Sequence, residues 1–224
     1  MLSLTKSINF FLCLFALIGG AGVERSLAAQ SGESVAEPVR NIVIVGDSLS
    51  AAYNMEPREA WPSLLQTRLD QDGYPWRVFN SSITGDTTQG GLARLPRLLE
   101  RHDPAIVILE LGGNDGLRGL PPSVTRDNLA QMIQFCQGSG AEVILAGIRI
   151  PPNYGAQFIR LFEGIYPELA EDYQTGLVPF FMAGVADTPR MMQADGIHPS
   201  VEAQGVLLDN LWPELQSMLD SLQP

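Results

Sequence analysis

Apolar positions along this chain follow two rhythms. Short, nearly continuous apolar runs stand at 41–45 (Asn41-Ile42-Val43-Ile44-Val45), 76–80, 105–111, 142–148 and 177–181. Runs of that length, rich in β-branched residues, predict strands buried on both faces. Between them apolar residues recur at helical spacing: Trp61, Leu64, Leu65 and Leu69 within 60–72, then Leu92, Leu95, Leu98 and Leu99 from Gly90 to just before Pro104. Further helices are predicted over 123–137, 158–173 and 201–222. Pro167 is expected to kink the first of the two that contain a proline, and Pro213 to bend the second. Stretches 83–87, 112–116, 149–155 and 188–200 read as loops. Strands alternating with helices predict an α/β fold whose central parallel sheet carries helices on both faces. A single domain over 41–224 suits the length.

The first 40 residues break both rhythms. Lys6 precedes an apolar run from Ile8 to Ala21, and the small residues Ser26, Ala28 and Ala29 follow. A charged start, a short apolar centre and small residues before a cut predict a signal peptide over 1–29. The run falls short of the roughly 18 apolar residues of a spanning helix. Cys13 follows Phe11 and Leu12, which are larger than the residues a lipoprotein processing site favours. Residues 30–40, polar with Gly32 and Pro38, read as a flexible leader. The expected product is periplasmic or secreted, with no integral membrane segment after cleavage.

Charge narrows the partners. Cleavage removes Lys6, Arg25 and Glu24, which takes the formal charge from −11 to −12. So acidic a chain is no nucleic-acid binder, and electrostatic docking on anionic lipid is disfavoured. Of two cysteines only Cys136 remains, so no intramolecular disulfide can form. His102 and His198 are the only histidines.

Four predicted loops each follow a strand and so open on one sheet edge, where ligands sit in open α/β folds. They hold Ser48, Gly85, Asn114 and the pair Asp195/His198. Acyl transfer needs a hydroxyl nucleophile, a base for its proton, a carboxylate to orient the base, and donors for the oxyanion. Ser48 supplies the hydroxyl. His198 is the base, because His102 sits at a helix end beside Asp103, where a cation suits the macrodipole. Asp195 lies three residues before His198 across an Asp-Gly turn, which lets one loop present both side chains. The oxyanion donors are the N–H groups of Ser48 and Gly85 and the side-chain amide of Asn114. Each motif alone has a plainer use: Asp47 or Ser48 as a helix cap, 112–116 and Asp195-Gly196 as turns, His198-Pro199 as a helix lead-in. Their conjunction favours catalysis. With one other histidine and one mature cysteine, a His/Cys zinc site cannot be assembled, and no metal or other cofactor is implied.

Gly46-Asp47-Ser48-Leu49-Ser50, Gly85-Asp86-Thr87, Gly112-Gly113-Asn114-Asp115 and Asp195-Gly196-Ile197-His198-Pro199 resemble, in order, the four blocks of the SGNH (GDSL-type) hydrolases. Intervening stretches such as Gly91-Leu92-Ala93-Arg94-Leu95-Pro96 and Pro152-Asn153-Tyr154-Gly155 are similar to one subgroup, the exported thioesterase I/lysophospholipase/arylesterase enzymes of Gram-negative bacteria. The resemblance spans about residues 40–215. It implies a flavodoxin-like sheet, a Ser48–His198–Asp195 triad, and Gly85 and Asn114 in the oxyanion hole. It further implies an esterase/thioesterase acting on lysophospholipids, aryl esters and acyl thioesters. A carbohydrate O-deacetylase on the same fold is the alternative, and a non-catalytic lipid or carbohydrate binder a remoter one. For an acyl chain, the loops offer Leu117, Leu120, Pro121, Ile150, Pro151, Tyr154 and Phe158 as substrate-binding candidates.

Overall fold

Five of the apolar runs pair into one sheet. In the computed structural model, which describes residues 39–223, the strands are β1 (Arg40–Gly46), β2 (Trp76–Asn80), β3 (Ile106–Glu110), β4 (Glu142–Ala146) and β5 (Gly176–Val178). Their order is β2-β1-β3-β4-β5, and every pairing is parallel. The expected signal peptide and nearly all of the expected leader lie outside the described residues. β1 itself begins at Arg40, the last residue of that leader.

Two-residue alternation along each strand splits the core in two. Val43, Val45, Val107, Leu109, Val143 and Leu145 face helices α2 (Thr88–His102), α4 (Pro122–Gly138), α5 (Ala156–Glu163) and α6 (Ile165–Tyr173). Ile42, Ile44, Ile106, Ile108 and Ile144 face α1 (Trp61–Gln71) and α7 (Gln204–Ser221) through Trp61, Leu65, Leu69, Leu207, Leu211 and Leu215. Helices therefore cover both faces, as the pattern predicts. Cys136 of α4 is buried and unpaired, and burial pushes its thiol up to about 12. Among the described residues no helix is long and apolar enough to cross a membrane.

Three expectations are corrected. Stretch 112–116 is not merely a loop: it enters a short helix, α3 (Gly113–Leu117). Gly112 makes this possible with φ +119°, a region only glycine enters freely, and a Cβ there would lie 2.3 Å from the Tyr166 hydroxyl. The helix expected over 158–173 is two helices with the break at Gly164. Pro167 has no N–H for the Glu163 carbonyl, so α5 stops there and Pro167 joins the first turn of α6, where an N–H has no intrahelical partner anyway. The fifth strand keeps only Leu177 and Val178 of its five expected residues and gains Gly176, and a 3-10 turn at Val201–Ala203 precedes α7, which continues through Pro213.

This topology fixes where a site can form. β1 leads to β2 on one side while β3 lies on the other, so strand order reverses between β1 and β3. Their carboxyl ends, Gly46 and Glu110, are paired in register. A crevice opens at such a switch point, and Ser48 and α3 stand at its mouth.

Candidate active site

Ser48 stands in the turn that leaves β1. The Ser50 and Ala51 N–H groups donate to the Asp47 carbonyl, and the Leu49 N–H donates to Asp47 Oδ1 at 3.0 Å. Asp47 is therefore a local cap, and Ser48 is presented beside it, half-buried.

The loop from 192 to 199 arrives from the other end of the chain. Asp195 Oδ1 accepts the Ile197 and His198 N–H groups at 2.9 and 3.0 Å, with Gly196 in the left-handed region at φ +68°. Asp195 Oδ2 lies 2.7 Å from His198 Nδ1, and His198 Nε2 lies 2.9 Å from Ser48 Oγ. The His198 backbone N–H, then its ring, then the Ile197 N–H hold the Asp195 carboxyl down at about 2. With its Nδ1 proton on Asp195, the imidazole turns its other nitrogen to the serine as an acceptor.

Of the predicted oxyanion donors, Ser48 and Asn114 line one cleft. Gly85 adopts φ +77°. Among the described residues neither the Ser48 nor the Gly85 N–H has an acceptor. Asn114, in the first turn of α3, differs: its Nδ2 donates to Asp47 Oδ2 and to the Asp86 carbonyl, both at 2.9 Å. Its amide is held in place rather than idle.

Three further side chains fasten these loops. Arg94 of α2 pairs with Asp86 at 2.8 Å and donates to the carbonyls of Ser81 and Gly46, which joins the Gly85 loop to the end of β1. Gln193 donates to the carbonyls of Tyr53 and Pro199, each at 3.0 Å, and accepts from Asn54. One side chain thus spans the Ser48 loop and the His198 loop. The Tyr53 ring lies 4.1 Å from the His198 ring, centroid to centroid. Neither Gln193 nor Tyr53 carries a sequence signal, since Gln193 meets Tyr53 across 140 residues and Tyr53 meets His198 from farther still. Removing Gln193's hydrogen bonds should loosen the Ser48–His198 contact. Gln193→Leu is expected to lower kcat about tenfold, the worth of roughly one lost hydrogen bond, with KM within about threefold in steady-state ester kinetics. An unchanged kcat would deny the clamp.

His102 stands at the other edge of the sheet. Its carbonyl accepts from Asn41 at the start of β1, and its ring packs 4.3 Å from Phe79.

A cleft of about 370 Å³ opens beside Ser48. Leu117, Ile150 and Pro151 line it, joined by Ile148, Phe180, Met182, Met192 and Ile197. Leu120, Pro121, Tyr154 and Phe158 are not among its lining residues. The Tyr154 hydroxyl instead donates to the Leu117 carbonyl at 2.7 Å and supports the wall from behind. The lining methionines and Phe180 follow β5 and were not assigned to the substrate surface from the sequence, because nothing in the local pattern says which side chains face a cleft. Of the nearby cations, Arg118 donates to the Gly85 carbonyl and Arg149 lies over Phe180.

The family model described as GDSL-like lipase/acylhydrolase matches residues 44–206. This chain belongs to that family. Esterase TesA of Pseudomonas aeruginosa is 51% identical over 180 residues, which are 80% of this chain and 90% of that one. The arylesterase of Vibrio mimicus is 47% identical over 209 residues, 93% and 96% of the two chains. Thioesterase 1/protease 1/lysophospholipase L1 of Escherichia coli K12 is 46% identical over 179 residues, 80% and 85%. The crystal structure of TesA superimposes with a TM-score of 0.78, covering 80% of this chain and 99% of that chain at 51% identity. This GDSL-family chain is accordingly an SGNH-type hydrolase of ester bonds, with the parallel five-stranded sheet of that fold.

Proposed function

We propose that Ser48, His198 and Asp195 are the catalytic triad of a serine esterase/thioesterase working through an acyl-enzyme. The observation that carries this reading is the unbroken hydrogen-bonded series from Asp195 Oδ2 through the imidazole to Ser48 Oγ. Ser48 Oγ attacks the acyl carbonyl and passes its proton to His198 Nε2. The imidazolium, steadied by ionised Asp195, returns that proton to the leaving alcohol or thiol as the tetrahedral intermediate collapses. Water, with His198 again as base, then releases the acid. The oxyanion is met by the acceptor-free N–H groups of Ser48 and Gly85. Asn114 adds a third donor by turning or sharing the N–H now on the Asp86 carbonyl.

The apolar walls of the cleft favour an acyl chain. Lysophospholipids, aryl esters and other short lipid esters fit the acidic surface better than a polyphosphate thioester such as acyl-CoA, which a charge of −12 repels. The N-terminal segment, with its charged start and short apolar run, supports export and a periplasmic or secreted location. The mature domain is then 41–224, preceded by the short leader.

A series of p-nitrophenyl esters tests the substrate side. If the cleft takes the acyl chain, kcat/KM should rise from acetate towards octanoate. The ceiling is about 0.8 kcal/mol, or roughly fourfold, per buried CH₂. A profile that falls after acetate, together with faster release of acetate from acetylated sugars, would instead make the chain a carbohydrate O-deacetylase. Covalent labelling of the mature protein by a fluorophosphonate distinguishes an enzyme from a binder on the same fold.

A further inference from the structure

Glu110 is the one charged residue in β3, and the chemistry above gives it no role. Its side chain is fully buried. Oε2 accepts from the Ser50 hydroxyl at 2.7 Å and lies 3.4 Å from the Asp47 N–H. Oε1 has no partner among the described residues. A Cβ on Gly46 would lie 2.8 Å from Glu110 Oε2 and from Ser50 Oγ, so the glycine that opens the nucleophile turn is also what makes room for this carboxyl. Asp47, 2% exposed, is the next acid. Its two oxygens take the Leu49 N–H and one N–H of Asn114.

The geometry points to Asp47 and Glu110 as a buried carboxyl pair that positions the site. Ionised Asp47 aims the Asn114 amide and closes the turn presenting Ser48, while Glu110, holding a proton, seats that turn on β3. The inference rests on the reading of Ser48 as nucleophile and Asn114 as oxyanion donor.

Two buried carboxylates side by side with no buried cation between them cannot both ionise cheaply. An ionised Glu110 would also leave one oxygen unsolvated, whereas a neutral acid tolerates that far better. Burial, then the Asp47 charge, raises Glu110 well above the ordinary carboxylate range. Burial also raises Asp47, to about 6, against the Leu49 and Asn114 hydrogen bonds and the His198 ring that lower it. The other groups facing the pair leave this order intact. Asp115 of α3, held by the Thr88 N–H and hydroxyl, adds a like charge that also raises Asp47. The Tyr166 hydroxyl of α6 donates to the Leu111 carbonyl. Arg94 of α2 spends its charge on Asp86.

Three measurements on the mature protein test the pair. In Asp47→Asn an amide replaces the acceptor that Asn114 needs, so kcat should fall about 10²-fold while KM stays within threefold; a loss under threefold overturns the positioning role. Should that variant not fold, the Asn114 side-chain amide signals in His198→Ala carry the same question. They should shift with a midpoint above pH 6, because the His198 ring that lowers Asp47 is gone, and signals that do not move between pH 5 and 8 overturn it equally. For Glu110, the folded state keeps a proton that the unfolded chain releases above its ordinary value. Its share of stability is full below that value and falls as pH rises, by about tenfold in the folding constant per pH unit. Glu110→Gln, which keeps the neutral shape, should flatten that slope and recover most of the kcat that Glu110→Leu loses. Equal slopes in wild type and Glu110→Gln overturn the protonated acid. Turnover in Ser48→Ala within 10²-fold of wild type would sink the nucleophile assignment while leaving the amide and proton readouts as they stand.

Discussion

Replacing Ser48 by alanine is expected to lower turnover of p-nitrophenyl butyrate by about 10⁶-fold, the scale of removing a triad nucleophile. No neighbour can take over. Ser50, the nearest hydroxyl in the chain, is fully buried and commits its proton to Glu110. Ser48 itself is half-buried and makes its side-chain contact with His198 alone, so the fold should survive. Thermal unfolding within a few degrees of wild type would verify that. Fluorophosphonate labelling should vanish together with turnover. A folded Ser48→Ala enzyme with less than a 10²-fold loss would remove Ser48 from the chemistry.

Asp195→Asn should follow with a loss of about 10⁴-fold, the size seen when an amide replaces a triad carboxylate. The local geometry explains why so conservative a change is severe. Oδ1 is required by the two N–H groups of Ile197 and His198. An asparagine must therefore keep its oxygen there, and its NH₂ then faces His198 Nδ1 where an acceptor used to be. The ring is driven to carry its proton on Nε2, and that nitrogen can no longer accept from Ser48. Since Asp195 stays ionised down to about pH 2, an acid limb of wild-type turnover above pH 4 does not belong to it. Measured kcat/KM within tenfold of wild type would take Asp195 out of the mechanism.

Much of the framework was legible before any coordinates. The continuous β-branched run of Ile42 to Val45 and the helical spacing of Trp61, Leu65 and Leu69 report local backbone geometry. They matched strands and helices to within a few residues. Asp195 and His198 were readable as a pair because they stand three apart on one turn. The errors lie where a single residue's conformation overrides its neighbours' pattern. Gly112 at φ +119° let α3 begin where a loop was expected. Pro167 moved its interruption upstream to Gly164, because the absent N–H is felt by the carbonyl four residues back.

The substrate wall was harder. Leu120 and Tyr154 were placed there by their neighbourhood in the chain, while Met182, Met192 and Phe180 were overlooked. Exposure to a cleft is a property of packing between segments, and no local periodicity encodes it.

Fold class, parallel sheet and the candidate groups of the site were thus legible in the order of residues, since strand and helix periods and motif spacings act over a few positions. The approach of His198 to Ser48 across 150 residues, the clamp by Gln193, and the burial of Glu110 behind Asp47 came only with the folded chain. The physical reason is range. Hydrogen bonds and desolvation act over a few ångströms in space, and only the assembled sheet brings these distant side chains within that reach.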